Sequence, residues 1–238
     1  GQSGQQGQQQ QRLQETIRRL EQATQAMEQG AQQSGQQQSS SAQAQQGAQR
    51  AQEQLQQALN QLAQERQQAN QSALADLSNR ADQLVQEQAQ VQPHLEEALR
   101  KALEVMREQQ AEGKRTRLPS GLTPEQEREF SELKSKMAEQ LRSMEADMQG
   151  ASRRMRDTQP GASRSLREAL SELQQEDVGS RLDTAAEYIR RQAAPYVANS
   201  EEGVARALRG LSERLKEAQK LAEQGGGPGG EPSQERLG

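Results

Sequence analysis

The sequence predicts an all-α fold: elongated helices and helical hairpins with coiled-coil contacts, and disordered Gln/Gly-rich ends. Three observations carry that prediction. Of 238 residues, 46 are Gln and 31 are Ala, so the chain is rich in residues that favour helix. Leu, Ile, Val and Phe together number only 33, about 14%, below the roughly 20% at which compact globular packing becomes doubtful. Apolar residues recur at alternating steps of three and four over long stretches, the mark of an a/d seam. Long polar helices bury only a narrow stripe, so the small apolar total suffices for them.

The bulk numbers also exclude function classes. Net charge is −4 and mean hydropathy is −1.15. So small a charge over this length does not drive disorder by itself. The only aromatic residues are Phe130, Tyr188 and Tyr196. A compact enzyme with a buried cleft needs more bulky apolar surface than this to offset chain entropy. The absence of cysteine excludes disulfides, thiolate metal sites and Cys nucleophiles. Residues 1–112 carry 9 Lys/Arg against 13 Asp/Glu, and residues 113–238 carry 21 of each. Neither half is basic and stacking aromatics are missing, which argues against a nucleic-acid partner.

Residues 1–47 read as a Gln/Gly-rich low-complexity tract with one short helix at 12–29, where Leu13, Ile17, Leu20, Thr24 and Met27 keep the 4-3-4-3 spacing. Residues 30–47, with Ser39, Ser40 and Ser41, read as a linker or weak helix. Residues 48–112 read as a Gln-rich heptad helix. Its stripe opens with Ala48, Ala51, Leu55, Ala58 and Leu62. It continues through Leu74, Leu77, Ala81, Leu84, Gln88, Val91, Leu95, Ala98, Ala102 and Val105. A sustained 3.5-residue period implies a left-handed supercoil. Pro93 lies inside the stripe, and since proline removes a helical hydrogen bond, a kink is expected there.

Residues 113–224 read as a charged region of helical hairpins. Residues 113–121 form a break. Thr123, Pro124 and Gln126 then make a helix start with a capping box. The stripe behind it is Phe130, Leu133, Met137, Leu141, Met144, Met148, Ala151 and Met155, and the helix is expected to run to Thr158, before Gln159, Pro160 and Gly161 end it. Ser163 or Ser165 is expected to cap a short helix carrying Leu166, Leu170 and Leu173. Another starts near Ser180, with Leu182, Ala185, Ile189 and Ala193, and Pro195 stops or bends it. Residues 199–202 read as a second capping box, opening a last helix through Val204, Leu208, Leu211, Leu215 and Ala218. Tyr188 and Tyr196 are expected to form a miniature core. Residues 225–238 are a Gly/Pro-rich tail incompatible with helix.

No motif supplies chemistry. His94 is the only histidine, and with Glu97 it makes half a metal site at best. A solvated position on a helix surface is the plainer expectation. Residues 113–116 lack the upstream Gly and the Gly-Lys-Ser/Thr of a phosphate loop, with Glu108 and Arg115 in the wrong places. Carboxylates such as Glu125, Glu127 and Glu129 alternate with cations on helix faces, unlike the shielded acids of general acid/base catalysis. The Met137, Met144, Met148 and Met155 stripe fits a helix seam better than an adaptable groove. Arg153, Arg154 and Arg156 could touch acidic lipid head groups, diluted by Asp157.

The residues 1–11 and 34–46 tracts, with residues 182–191, 196–197 and 201–221, resemble the C-terminal region of a family of long bacterial membrane proteins, the DUF4175 group. The resemblance implies a few transmembrane helices near the N-terminus of a parent protein and a long, extracytoplasmic helical tail. It carries over no catalytic residues. The chain opens with Gly in low-complexity sequence, with no initiator Met, which predicts a C-terminal piece of a longer protein.

The expected function is therefore a non-enzymatic structural and interaction segment of a bacterial cell-envelope protein, on the extracytoplasmic side of the inner membrane. It would act as coiled-coil spacer and docking surface. The expected interaction seam is Leu74, Leu77, Leu84, Val91, Leu95, Val105, Phe130, Leu133, Met137, Leu141, Met144 and Met148. The partner is another protein or a second copy of the chain. No catalytic residue, cofactor, metal, nucleic acid or small-molecule substrate is expected, and membrane contact comes only through the missing N-terminal region. Two alternatives stand beside this: a peptide- or lipid-binding module in residues 163–222, and a mostly disordered protectant.

Overall fold

The computed structural model describes residues 18, 41–111 and 118–224, and all of the regular structure among them is helical. Five α-helices follow in order: α1 (Ser41–Ala111), α2 (Pro124–Met155), α3 (Pro160–Glu176), α4 (Val178–Arg190) and α5 (Ala198–Gln224). One 3₁₀ turn, Ala194–Tyr196, joins α4 to α5. Apart from Arg18, the expected helix at 12–29 lies outside the described residues, as does the 225–238 tail. Two compact units divide at Ala69 and Asn70.

In the first unit the described helix is residues 41–69 of α1. Of the two readings of residues 30–47, linker or weak helix, the described part is helix from Ser41. Ala and Gln carry little propensity cost, so seven more residues join a helix that the downstream stripe already supports. Ala58 is buried, Leu55 and Leu62 are half-buried, and Leu59 is exposed.

The second unit is an up-down-up-down bundle, and its polar contacts fix the direction of every arm. Arg80 of α1 meets Ser143 and Asp147 of α2, while Gln88 meets Lys134, so α1 and α2 are antiparallel. Ser163 of α3 donates to the carbonyl of Ser152, and Arg142 pairs with Asp183 of α4, so α3 and α4 together run back along α2. Asp82 meets Ser212 and Lys216 while Gln88 meets Glu201, so α5 lies antiparallel to α1 and closes the ring. The third arm is in two pieces because Asp177 sits in the left-handed region at φ 49°, a conformation that Asp tolerates better than most side chains.

This grouping corrects the division expected at 112/113. The heptad helix and the charged hairpins are arms of one bundle, and residues 70–111 pack against 124–224. The cause is the seam itself: a stripe that long has to be covered, and the nearest apolar faces are on the same chain. Two apolar clusters fill the interior. One holds Leu74, Leu77, Ala81 and Leu84 with the α2 methionines, Leu166, Leu182, Leu208 and Leu215. The other holds Val91, Leu95, Phe130, Ala185, Ile189 and Val197.

Local starts and stops follow the sequence in part. Thr123 caps α2 as expected: its Oγ1 accepts from the Gln126 N–H at 3.2 Å, and Gln126 Oε1 accepts from the Thr123 N–H at 3.0 Å. Pro124 occupies the first turn. α1 runs through Pro93 without a break in helix. α2 ends at Met155 rather than Thr158, and α3 starts at Pro160 rather than at a serine cap. Ser163 and Ser165 are buried in α3, donating to the carbonyls of Ser152 and Arg214. Tyr188 and Tyr196 are 42% and 60% exposed, with ring centroids 6.4 Å apart, so they do not form the expected core. Ala185 and Ile189 on α4 turn inward in their place.

The α1–α2 connection touches α1 at one tight point. Gly121 has φ +70°, and a Cβ there would lie 2.4 Å from the Ala98 carbonyl oxygen and 2.8 Å from its Cα. Gly121→Ala therefore places a side chain where backbone already stands. The left-handed backbone alone costs about 1–2 kcal/mol for a residue with a Cβ, and the clash adds to it. Urea unfolding of this variant is expected to show a loss of about 2 kcal/mol or more. An unchanged midpoint would mean that the connection does not seat on α1.

Candidate functional site

Between the two apolar clusters lies a polar layer. Gln88 from α1, Lys134 from α2 and Glu201 from α5 meet inside the bundle, 1%, 0% and 0% exposed. Helical spacing puts them there. Gln88 follows Leu84 by four and precedes Val91 by three; Lys134 stands the same way between Phe130 and Met137; Glu201 stands so between Val197 and Val204. All three therefore occupy seam positions, one layer above one core cluster and one below the other.

The three side chains hydrogen-bond one another. Lys134 Nζ donates to Gln88 Oε1 at 2.6 Å and also to Glu201 Oε2. Gln88 Nε2 donates to the same Glu201 Oε2 at 2.7 Å and to the Glu201 carbonyl at 3.3 Å. Gln88 thus bridges cation and anion with its oxygen toward the ammonium and its amide toward the carboxylate. Glu201 Oε1 is buried with no hydrogen-bond partner. Burial pushes the Lys134 ammonium below its ordinary 10.5, and the Glu201 charge and hydrogen bond pull the other way. Such a pair is costly to desolvate and strongly coupled once inside.

This layer corrects one expected role and adds two residues. The capping box expected over residues 199–202 does not open α5, which already begins at Ala198, and Ser200 Oγ donates to the Val197 carbonyl. Capping leaves a side chain near water, whereas the 201 position faces the bundle axis. Lys134 and Glu201 were hidden because a seam reading selects the apolar neighbour, here Leu133 over Lys134. The legible signal is a charged residue at seam spacing on two arms with a Gln on a third.

The expected seam residues fall into place around the layer. Leu74, Leu77, Leu84, Val91, Leu95, Phe130, Met137, Leu141, Met144 and Met148 are core residues, none more than 7% exposed. Leu133 and Val105 are half-buried. His94 is exposed and stacks on Phe130, ring centroids 5.3 Å apart. No group of three His, Cys, Asp or Glu suited to a metal ion occurs among the described residues.

A second buried contact closes one end of the bundle. Gln159 Oε1 accepts from Asn70 Nδ2 at 3.2 Å, and its Nε2 donates to the Ala222 carbonyl at 3.2 Å. That leaves α3 with no side-chain cap, because the residue before its first turn spends its amide across the bundle. On the flanks, Asp82 accepts from Lys216 at 2.9 Å and Ser212 at 2.5 Å; these bonds hold its carboxyl below the ordinary 3.8. Arg214 reaches Glu172 at 2.9 Å, which raises its pKa further. Exposed pairs of this kind are screened by water and salt, so the flanks orient arms more than they hold them. A shallow recess of about 210 Å³ lies between α3 and α5, lined by Ala169, Leu173, Gly203, Ala207 and Gly210 among others. Among the described residues no helix is long and apolar enough to cross a membrane.

No protein-family model, curated protein or solved structure matches the chain.

Proposed function

We propose that the chain is a non-enzymatic structural and interaction segment of a bacterial cell-envelope protein, serving as coiled-coil spacer and docking surface. The observation that carries this reading is the closed bundle of residues 70–224, whose seam residues are consumed within one chain around a polar layer. A bundle with a polar layer in one place has one favoured register, so its helix ends stand at fixed separations. That is what a spacer needs. Its ionisable interior groups are sealed from solvent and matched to each other, which suits register rather than turnover. The envelope location is part of this proposal and rests on the sequence resemblance alone. Docking falls to what remains outside the core, including the half-buried stripe at Leu55 and Leu62 beside exposed Leu59, which suits a partner helix or a second copy of the chain.

Circular dichroism with light scattering across a dilution series tests the reading. High helicity is expected at every concentration, since the bundle needs no partner to cover its core. Low helicity throughout would overturn it, because a spacer that folds only on a partner has no length of its own.

A further inference from the structure

Six cations gather at the end of the bundle where α2 stops, α3 starts and α5 stops. They are Arg153, Arg154, Arg156, Arg164, Arg167 and Lys220, all exposed. Their common location follows from two contacts: Gln159 bonds the Ala222 carbonyl, and a Cβ on Gly161 would rest 3.7 Å from Leu221. None of the six forms an ion pair with a described carboxylate, whereas Arg80, Arg142, Arg214 and Lys216 on the flanks are each paired across helices. The unpaired carboxylates at this end are Asp157 and Glu223.

Helix electrostatics do not account for the cluster. Arg153 and Arg154 suit the last turn of α2. Arg164 and Arg167 stand in the first turns of α3, whose near end is positive, so they gain nothing there. The uncapped start of α3 adds to the same positive field. The end is therefore a concentrated positive surface on a chain whose net charge is −4.

We propose that this end of the bundle docks on an anionic lipid surface through phosphate head groups. The inference deepens the docking-surface reading and rests on it for the claim that the bundle has a partner. Charge complementarity gives the class of partner, since arginine forks match phosphate oxygens with two parallel hydrogen bonds. The surface lacks what other partners need. Protein interfaces centre on buried apolar anchors, and the exposed large apolar residues of this unit, Leu103, Tyr188 and Tyr196, are not at this end. Single-stranded nucleic acid is held by stacking aromatics, and none is present there. A plane of lipid phosphates needs neither. Arg80, Arg142, Arg214 and Lys216 on the flanks are paired, so contact with the surface falls to the cations at this end.

Co-sedimentation of the full chain with vesicles at low salt tests the proposal. The probes are phosphatidylglycerol–phosphatidylcholine vesicles, pure phosphatidylcholine vesicles and a short DNA duplex. Binding is expected to the anionic vesicles alone, and to weaken as salt rises. A cation near an anionic bilayer contributes roughly a fivefold change in affinity, so Arg153→Gln/Arg154→Gln/Arg156→Gln is expected to bind about a hundredfold more weakly, with unchanged helicity. Arg100→Gln/Lys101→Gln, on α1 at the far end, is expected to bind like wild type. Absent binding to anionic vesicles, equal losses in the two variants, or tighter binding to the duplex would each overturn the proposal. High helicity with no vesicle binding would leave the spacer reading standing and remove only this one.

Discussion

Lys134→Met is expected to destabilise the bundle by about 3–5 kcal/mol, the cost of leaving a buried charge without its counterion. The arithmetic comes from Glu201, not from the lost lysine. Glu201 is fully buried, and one of its carboxylate oxygens already has no hydrogen-bond partner. Removing Lys134 takes the cation from the other oxygen and leaves Gln88 Nε2 as its one side-chain donor among the described residues. One amide cannot offset the desolvation of a carboxylate. Methionine fills much of the lysine volume, so little of the loss comes from a cavity. Urea unfolding monitored by circular dichroism gives the value. Lys136→Met, two residues away on an exposed position 3.8 Å from Glu87, serves as the comparison and should stay within about 0.5 kcal/mol of wild type. A loss below about 1 kcal/mol for Lys134→Met would mean that the layer is open to water or protonated to neutrality.

The fold was legible to the extent that its seams are periodic. The run from Leu74 to Val105 gave the bundle-facing side of α1, and Phe130 through Met155 gave that of α2, because 3.6-residue spacing selects a face whatever covers it. Thr123 and Gln126 gave a helix start to the residue, because a capping box is a local bargain between two side chains and two backbone groups. Closure of those faces on one another was not legible. A stripe does not say whether its cover comes from the same chain, and the composition break near residue 112 suggested a boundary between segments that pack together, residues 70–111 against 124–224. Gln159 was read as a terminator beside Pro160, since its contacts with Asn70 and Ala222 are 89 and 63 residues away in sequence. The polar layer was half visible. Gln88 stood in the stripe, but Lys134 and Glu201 are charged, and charge on a helix is ordinarily solvated. Their burial follows only from the alignment of three arms, which is long-range information. Tyr188 and Tyr196 show the reverse error: aromatic character suggested burial, while Tyr188 stands on the outer face of α4 beside the inward Ala185 and Ile189, and Tyr196 ends the exposed side of the 3₁₀ turn.

The complementary experiment replaces the whole layer. Gln88→Leu/Lys134→Met/Glu201→Leu removes cation, anion and bridge together, so the layer leaves no polar side-chain atom of its own buried without a partner. Replacing a buried ionic network with apolar residues of similar size is often neutral or stabilising, by as much as about 1–4 kcal/mol. A gain in that range is expected here, because the layer sits between two apolar clusters that the new side chains can join. The opposite sign from Lys134→Met would show that the pair is expensive to break yet not a net source of stability. What the polar layer contributes is choice. With Gln88, Lys134 and Glu201 present, sliding α2 by one heptad along α1 sets Lys134 against apolar residues, and the slip is strongly disfavoured. With apolar residues throughout, neighbouring registers become close in energy. The triple variant is therefore expected to unfold at higher urea but with slower-exchanging core amides giving way to a spread of exchange rates, and with broadened methyl spectra. A variant both more stable and as sharply ordered as wild type would refute the register role; one less stable than wild type by over about 1 kcal/mol would make the ionic layer a net source of stability after all.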